Sequence, residues 1–194
     1  GQSVEFRQHR EYAAGDDLRH VDWKVWARQD RLYVKQFEED TNLRATLLVD
    51  VSNSMRYGNG AMSKYEHGCT IAASLAYMVL KQNDAIGCVS FDDSLRRNVP
   101  YRTRQTHLLS VVEALSVSEP KDKTEIYSIL RGVAESHPRR GLMILISDLL
   151  ADPAATLKGL RLLRQRGHDV LVFHVMDDDE LEFPFNGPVR FEGL

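Results

Sequence analysis

Apolar and polar positions show two different kinds of spacing along the chain from Leu43 onward. Short apolar runs, typical of buried strands, are separated by stretches in which apolar residues recur every three or four positions, as in amphipathic helices. The predicted strands are Thr46–Val49, Ala85–Phe91, Leu142–Ile146 and Val170–Val175. The predicted helices are Lys64–Gln82, His107–Leu115, Glu125–Ser136 and Ala154–Arg166.

Buried strands joined by helices favour an α/β fold with three layers, a mainly parallel sheet of the Rossmann type with helices on both faces. We assign this fold to residues 43–180. The unbroken apolar run Leu142–Ile146 is typical of a strand that is covered on both faces. Ligands of such folds bind beyond the carboxyl ends of the strands, where the strand order reverses. Residues that directly follow the apolar runs are therefore the first candidates for function.

The two ends of the chain differ from this central region. Residues 1–42 combine dense charge with two tryptophans, Trp23 and Trp26, and contain one alternating run, Leu32–Phe37, that predicts a half-exposed strand. We expect an N-terminal extended segment packed on the main domain. Because tryptophans bury large areas, we favour an internal network of salt bridges and hydrogen bonds that pins this segment to the sheet, and a docking surface is the alternative. The charged residues concerned are Asp16, Asp17, Arg19, Asp22 and Arg28. Residues 181–194 contain two prolines and two glycines without a helical period, so we expect an extended and truncated C-terminal segment.

Composition places the chain among ordinary globular domains. Of its 194 residues, 43% are apolar and 27% are charged, and the net charge of −3 provides no general attraction to nucleic acid or anionic membrane. No apolar run reaches the roughly 18 residues that a membrane span needs. Cys69 and Cys88 lie in apolar stretches and are interpreted as buried, unpaired residues of a reducing compartment. We expect a cytoplasmic location, with a membrane anchor outside these residues left open.

Five oxygen-bearing side chains are placed so that they could form one site. Asp50, Ser52 and Ser54 follow the first buried strand, Thr124 precedes a helix, and Asp148 follows a later strand. Carboxylates and hydroxyls are hard oxygen donors, which Mg²⁺ prefers. Because the carboxyl ends of parallel strands meet at one edge, these residues predict a site for Mg²⁺, or for Mn²⁺ or Ca²⁺. An open coordination position would accept a carboxylate from a protein partner.

The same five residues resemble the metal-ion-dependent adhesion site of von Willebrand factor A domains, in which Asp-x-Ser-x-Ser is followed by a Thr and an Asp. A longer and more specific resemblance lies on both sides of this motif. Its segments are Arg10–Trp23, Ala27-Arg28, Leu32–Glu38, Pro184-Phe185 and Gly187. They are similar to the bacterial family called domain of unknown function 58, and the similarity covers nearly the whole chain.

This resemblance implies a role that composition does not indicate. Family members are similar to partners of MoxR-type AAA+ ATPases, with a suggested role as adaptors in chaperone-like assembly or maturation, and they are not known as enzymes. For this chain it implies a non-enzymatic protein-interaction domain. One departure concerns the site: Lys121-Asp122-Lys123 stands before Thr124, where related sequences usually carry glycines, and Lys123 would repel a cation.

Two other functions fit the same residues. An Asp after the first parallel strand can be the nucleophile of a metal-dependent phosphoryl-transfer or hydrolytic enzyme, although Ser52 stands where such enzymes need a second acid. The sequence has no phosphate loop and no GxSxG nucleophile elbow. The second alternative is a metal-free scaffold of the same fold, in which Asp50, Ser52 and Ser54 form a turn while Thr124 and Asp148 cap helices.

Overall fold

A computed structural model describes residues 3–29, 31–40, 43–58, 60–116 and 125–184 of the chain. Contacts divide the chain into two compact units, residues 1–42 and residues 43–194. All five predicted site residues have numbers that belong to the second unit.

The first unit is built on a two-stranded antiparallel ribbon. Strand β1 (Ser3–Glu11) pairs with strand β2 (Tyr33–Asp40), and a short 3-10 helix (Leu18–His20) and helix α1 (Trp23–Gln29) lie between them in the chain. The alternating run in this region predicts β2. Strand β1 (SVEFRQHRE) is mostly polar and α1 is only 7 residues long, so neither has a pattern strong enough to predict it.

Helix α1 begins with a side-chain cap rather than with a hydrophobic anchor. The carboxylate of Asp22 accepts the amide hydrogens of Lys24 and Val25, which satisfies donors that have no partner within the helix. Trp23 and Trp26 contact each other edge to face with ring centroids 6.2 Å apart, and they are 56% and 43% exposed. Both tryptophans are therefore more exposed than the large area of such side chains led us to expect.

The second unit is a five-stranded sheet. Its elements follow the chain as β3 (Arg44–Asp50), a 3-10 helix (Asn53–Arg56), α2 (Lys64–Lys81), β4 (Ala85–Phe91), β5 (Leu95–Arg102), α3 (His107–Leu115), α4 (Ile126–Ser136), β6 (Leu142–Ser147), α5 (Pro153–Gln165), β7 (Asp169–His174) and α6 (Asp178–Glu182). The strand order is β5-β4-β3-β6-β7, in which β5 pairs antiparallel with β4 and the other neighbours are parallel. The predicted α/β class with a mainly parallel sheet is confirmed.

Two apolar layers cover the two faces of this sheet. Along β3, Leu47 and Val49 belong to one layer and Leu48 to the other, as the two-residue period of a strand requires. Helices α2 and α3 complete the first layer, and α4 and α5 complete the second. Strands β3 and β6 are buried along nearly their whole length, which explains their unbroken apolar sequences.

The structure corrects two predictions about strands. Strand β5 is absent from the sequence-based assignment because its sequence, LRRNVPYR, is dominated by exposed polar residues at an edge of the sheet. The run Val170–Val175, predicted to be a strand buried on both faces, corresponds to β7, which lies at the opposite edge and leaves Leu171 44% exposed. Apolar character alone does not distinguish an edge strand from a central one.

The C-terminal segment also differs from the prediction at its start. Leu181 and Glu182, expected to be extended, belong to α6. This short helix begins at a capping box in which the Asp177 side chain and the Glu180 side chain satisfy each other's backbone amides. The rest of the predicted segment, residues 185–194, lies outside the described residues.

Both cysteines are unpaired, as the sequence suggests. Cys88 is buried in β4, whereas Cys69 in α2 is half-buried. Burial raises the pKa of the Cys88 thiol to about 12, so this side chain is a protonated, apolar part of the core.

Candidate cation site

The candidate site lies at the point where the strand order of the sheet reverses. Strand β3 leads through α2 to β4 on one side, whereas its other neighbour β6 leads through α5 to β7 on the opposite side. The loops that follow β3 and β6 therefore diverge and leave a crevice between them. Asp50 is the last residue of β3 and Ser147 is the last residue of β6, so both predicted strand-end motifs border this crevice.

Asp50 is a buried carboxylate that accepts hydrogen bonds from two residues, Ser147 and Ser52. Ser147 Oγ donates to Asp50 Oδ2 at 2.7 Å, and the backbone amide of Ser52 donates to Asp50 Oδ1 at 3.0 Å. Burial raises the pKa of Asp50, and the negative charge of Asp148 adds to this effect, while hydrogen bonds from Ser147 and Ser52 oppose it. A positive ion beside Asp50 would relieve the cost of burying this charge.

Ser52 and Ser54 point their hydroxyl groups at each other on the same side of the loop. Ser52 is the residue before the 3-10 helix, and its Oγ lies 3.1 Å from Ser54 Oγ. Met55, the next residue, is fully buried in the core, and its side chain anchors the loop. Two oxygens that bind one Mg²⁺ at right angles, each about 2.1 Å from it, are about 3.0 Å apart. The two hydroxyls share a hydrogen bond without an ion, and their separation is also compatible with two ligands of one Mg²⁺.

Asp148 is buried at the same edge but has a different partner. Its Oδ2 accepts a hydrogen bond from Lys64 Nζ at 2.9 Å, and its Oδ1 accepts the backbone amide of Leu150 at 3.2 Å. The carboxylate is close enough to Asp50 for its charge to raise the pKa of Asp50. The structure thus brings Asp50, Ser52, Ser54 and Asp148 to one end of the sheet, with Asp148 already paired to an ammonium group.

Lys64 is the residue of this region that sequence reasoning missed. Its side chain is 1% exposed, and Nζ also lies 2.7 Å from Glu180 Oε1. A lysine is almost never fully buried unless it is paired. The sequence offered one signal, because Lys64 follows Ser63 in the capping box Ser63-x-x-Glu66 and so enters α2 at its first turn. Ser147 was also overlooked as a partner of Asp50, although it precedes Asp148 directly.

The acidic run Asp177–Glu180 is part of this environment. Besides the contact between Glu180 and Lys64, Asp179 Oδ2 accepts a hydrogen bond from Tyr57 Oη at 2.9 Å. Both contacts join α6 to the segment that follows the Ser52–Ser54 loop.

Thr124, the fifth predicted residue, and Lys123 beside it lie outside the described residues. Within the described ranges, no group of three or more His, Cys, Asp or Glu side chains is arranged to hold a metal. A cation at this edge would therefore depend on serine hydroxyls, on Asp50 and on water, which is the donor set of a hard ion that retains some of its hydration. In this chemical sense the residues fit Mg²⁺ or Mn²⁺.

A comparison with protein-family models decides the relationship that the sequence motifs suggest. The model described as "Protein of unknown function DUF58" matches residues 8–194. The chain belongs to this family. The family match includes the N-terminal motif from Arg10, the Asp50–Ser54 loop and Asp148, so it covers both units of the structure.

Curated relatives of this family member come from mycobacteria. The uncharacterized proteins Rv1480 of Mycobacterium tuberculosis (strain H37Rv) and Mb1516 of Mycobacterium bovis are each 28% identical to the chain over 192 residues. The matches cover 97% of this chain and 60% of each relative. The chain thus spans about 60% of the length of these relatives.

Solved structures resemble the fold. The chain matches an aerotolerance-related membrane protein from Bacteroides fragilis with a TM-score of 0.56 and 19% identity, over 67% of this chain and 66% of that one. It matches BatB from Bacteroides thetaiotaomicron with a TM-score of 0.51 and 18% identity, over 67% and 65% of the two chains. Both likenesses concern the fold, which in the second unit is a mainly parallel sheet flanked by helices. Among the described residues, no helix has the length and apolar character needed to cross a membrane.

Proposed function

We propose that this family member is a non-enzymatic interaction domain that binds a protein partner through a divalent cation, Mg²⁺ or Mn²⁺, at the reversal point of the sheet. Asp50, Ser52 and Ser54 would hold the ion, Thr124 and Asp148 would complete its surroundings, and a carboxylate of the partner would occupy an open position. The observation that carries this proposal is the pair of serine hydroxyls 3.1 Å apart beside the buried Asp50.

The proposed partner is a MoxR-type AAA+ ATPase, or a client of that ATPase, in an assembly or maturation reaction. Such an ATPase works where ATP is available, so the interaction would take place on the cytoplasmic side. Support for this partner comes from the family relationship, and support for an interaction role comes from the fold. The loop itself argues against phosphoryl transfer, because Ser52 stands two residues after Asp50, where such enzymes need a second acid.

Ion binding is tested by titrating Mn²⁺ and Mg²⁺ into the chain, with calorimetry for affinity and thermal unfolding for stability. An ion at about 100 times its dissociation constant stabilises the folded state by about 2.7 kcal/mol, which corresponds to a rise in Tm of roughly 5–10 °C for a domain of this size. Asp50→Asn keeps the shape of the side chain and removes its charge, and Ser52→Ala with Ser54→Ala removes the hydroxyl pair. Both changes should abolish the rise.

Ser128→Ala is the matched control for this experiment, since Ser128 is an exposed serine on α4 and should leave ion binding unchanged. A chain whose Tm does not respond to either ion at millimolar concentration would contradict the proposed site.

The partner is tested by capture of a purified MoxR-type ATPase from the same organism on the immobilised chain. Capture that is lost with chelator and with Asp50→Asn supports the proposal, and capture that is unaffected by both assigns the contact to another surface.

A further inference from the structure

Lys64 joins the candidate site to helix α6 through two carboxylates. Its ammonium group lies 2.9 Å from Asp148 Oδ2 and 2.7 Å from Glu180 Oε1, and almost none of the side chain is exposed. Burial lowers the pKa of Lys64, but hydrogen bonds to Glu180 and Asp148 outweigh this effect and raise it overall. The group is therefore a fixed positive charge at the edge of the sheet.

Glu180 is held in place on both of its oxygens. While Oε1 accepts from Lys64, Oε2 accepts the backbone amide of Asp177 at 3.0 Å as part of the capping box. The helix itself has 5 residues, which is too short to be stable without contacts to other parts of the chain. Docking of α6 therefore depends on its side-chain contacts. One of these is the ion pair between Glu180 and Lys64, and through Lys64 it is connected to the candidate site.

The Asp148 carboxylate would thus have two competing partners, Lys64 and the cation. In the absence of an ion it neutralises Lys64, and in a cation site it would have to turn toward the ion or toward water bound to the ion. A divalent cation beside Asp50 would also repel the ammonium group, because the charges are alike and the surroundings are buried. Ion binding and the Lys64–Asp148 contact therefore oppose each other.

We propose that Lys64 is a positioning residue that weakens cation binding at Asp50, Ser52 and Ser54 and couples it to the docking of α6. This inference rests on the proposed cation site and adds to it a residue that the adhesion-site motif does not contain. An ion that draws Asp148 away leaves the ammonium group to Glu180 alone, so ion binding should tighten the docking of α6. Because coupling between two sites is reciprocal, release of α6 should weaken ion binding. A partner that supplies its own carboxylate would shift the balance toward the ion-bound state with α6 docked.

The first test compares the Mn²⁺ affinity of four chains by calorimetry. Lys64→Met with Glu180→Gln removes one charge of each sign and should bind Mn²⁺ about tenfold more tightly than the unmodified chain, within the usual range of coupling between sites. Lys81→Met with Glu113→Gln makes the same change at two exposed positions of α2 and α3 and should stay within about twofold. Lys64→Gln, which retains a hydrogen-bond donor, is a second variant in case the first fails to fold, and it should also tighten binding.

The second test follows hydrogen exchange at the backbone amides of Glu180, Leu181 and Phe183, which donate hydrogen bonds within α6. In the unmodified chain, saturating Mn²⁺ should slow their exchange. In the Lys64→Met, Glu180→Gln chain they should exchange fast with or without the ion. A purely structural role for Lys64 would alter exchange in the variant but would not make exchange in the unmodified chain respond to Mn²⁺.

The outcomes separate this inference from the proposed function. Equal Mn²⁺ affinity in the unmodified and Lys64 variant chains, or α6 amides that ignore the ion, would overturn the role of Lys64 while the cation site stands. Absence of Mn²⁺ binding in every chain at millimolar concentration would overturn the site, and the coupling with it.

Discussion

Asp22 and Asp50 are two buried aspartates whose surroundings shift their ionisation in opposite directions. Asp22 Oδ2 lies 3.0 Å from His9 Nε2 and 3.3 Å from Lys35 Nζ, and these contacts, with the hydrogen bond from His9 as the largest cause, lower its pKa to about 2. Burial is the main cause that raises the pKa of Asp50. The first carboxylate is thus already compensated within its own unit, whereas the second is a suitable ligand for an added cation.

The low pKa of Asp22 leads to a prediction about acid stability. A carboxylate whose pKa falls from 3.8 to about 2 on folding stabilises the folded state above about pH 4, and this contribution is lost as the pH falls toward 2. His9→Ala should bring the carboxyl pKa back toward its ordinary value, as measured by NMR titration of the Asp22 side chain. His67→Ala, a change at an exposed histidine of α2, should leave it unchanged. A normal pKa in the unmodified chain would contradict the contact with His9.

The contact between α4 and α5 shows how a single glycine sets the distance between two helices. A Cβ atom placed on Gly159 of α5 would lie 2.6 Å from Leu130 Cδ1 and 3.0 Å from Leu130 Cβ, on the facing side of α4. Leu130 is fully buried, so it has no free space into which it could turn. The helices can pack this closely because α5 has no side chain at that position.

Gly159→Ala should therefore destabilise the fold by about 1–3 kcal/mol, since an extra methyl group in a packed contact forces the helices apart. Gly132→Ala is the control within α4, because nothing lies within 4 Å of the added Cβ. That change should stabilise the fold by up to about 1 kcal/mol through the better helix propensity of alanine. Chemical denaturation measures both values, and an equal response at the two positions would argue against close packing at Gly159.

The two units of the chain differ in how much they can bury. The second unit has two apolar layers around its five strands. In the first unit, the buried side chains among those described are Val21, Asp22 and Val34. A two-stranded ribbon is only marginally stable in water, and about 40 residues rarely supply a sufficient core.

Native-state hydrogen exchange should reveal this difference across the molecule. Amides of β1 and β2 are expected to exchange through local opening, while those of Leu47 in β3 and Leu145 in β6 should exchange only when the second unit unfolds. Small additions of denaturant should therefore speed exchange in the central strands strongly and in the ribbon weakly. Protection of the ribbon equal to that of Leu47 would show that both units unfold together.

The sequence by itself determined the class of the fold and where the candidate residues lie along the chain. Burial on one face of a helix or on both faces of a strand produces a recognisable pattern of apolar residues in the sequence. For this reason helix α3, His107–Leu115, and strand β4, Ala85–Phe91, have the predicted bounds. The position of Asp50 and Ser147-Asp148 at strand ends follows from the same pattern. Because parallel strands have their carboxyl ends at one edge of the sheet, these residues are expected to lie close together.

Only the tertiary structure decided which strands lie at the edges and which partners the carboxylates have. Strand β7 is as apolar as a central strand, and β5 carries too little apolar alternation to be recognised, because an edge position depends on neighbours that are remote in the chain. Lys64 and Asp148 are 84 positions apart, and no local sequence pattern predicts their contact. Periodicity records whether a residue is buried, whereas the choice of ion-pair partner arises only when distant elements pack against each other.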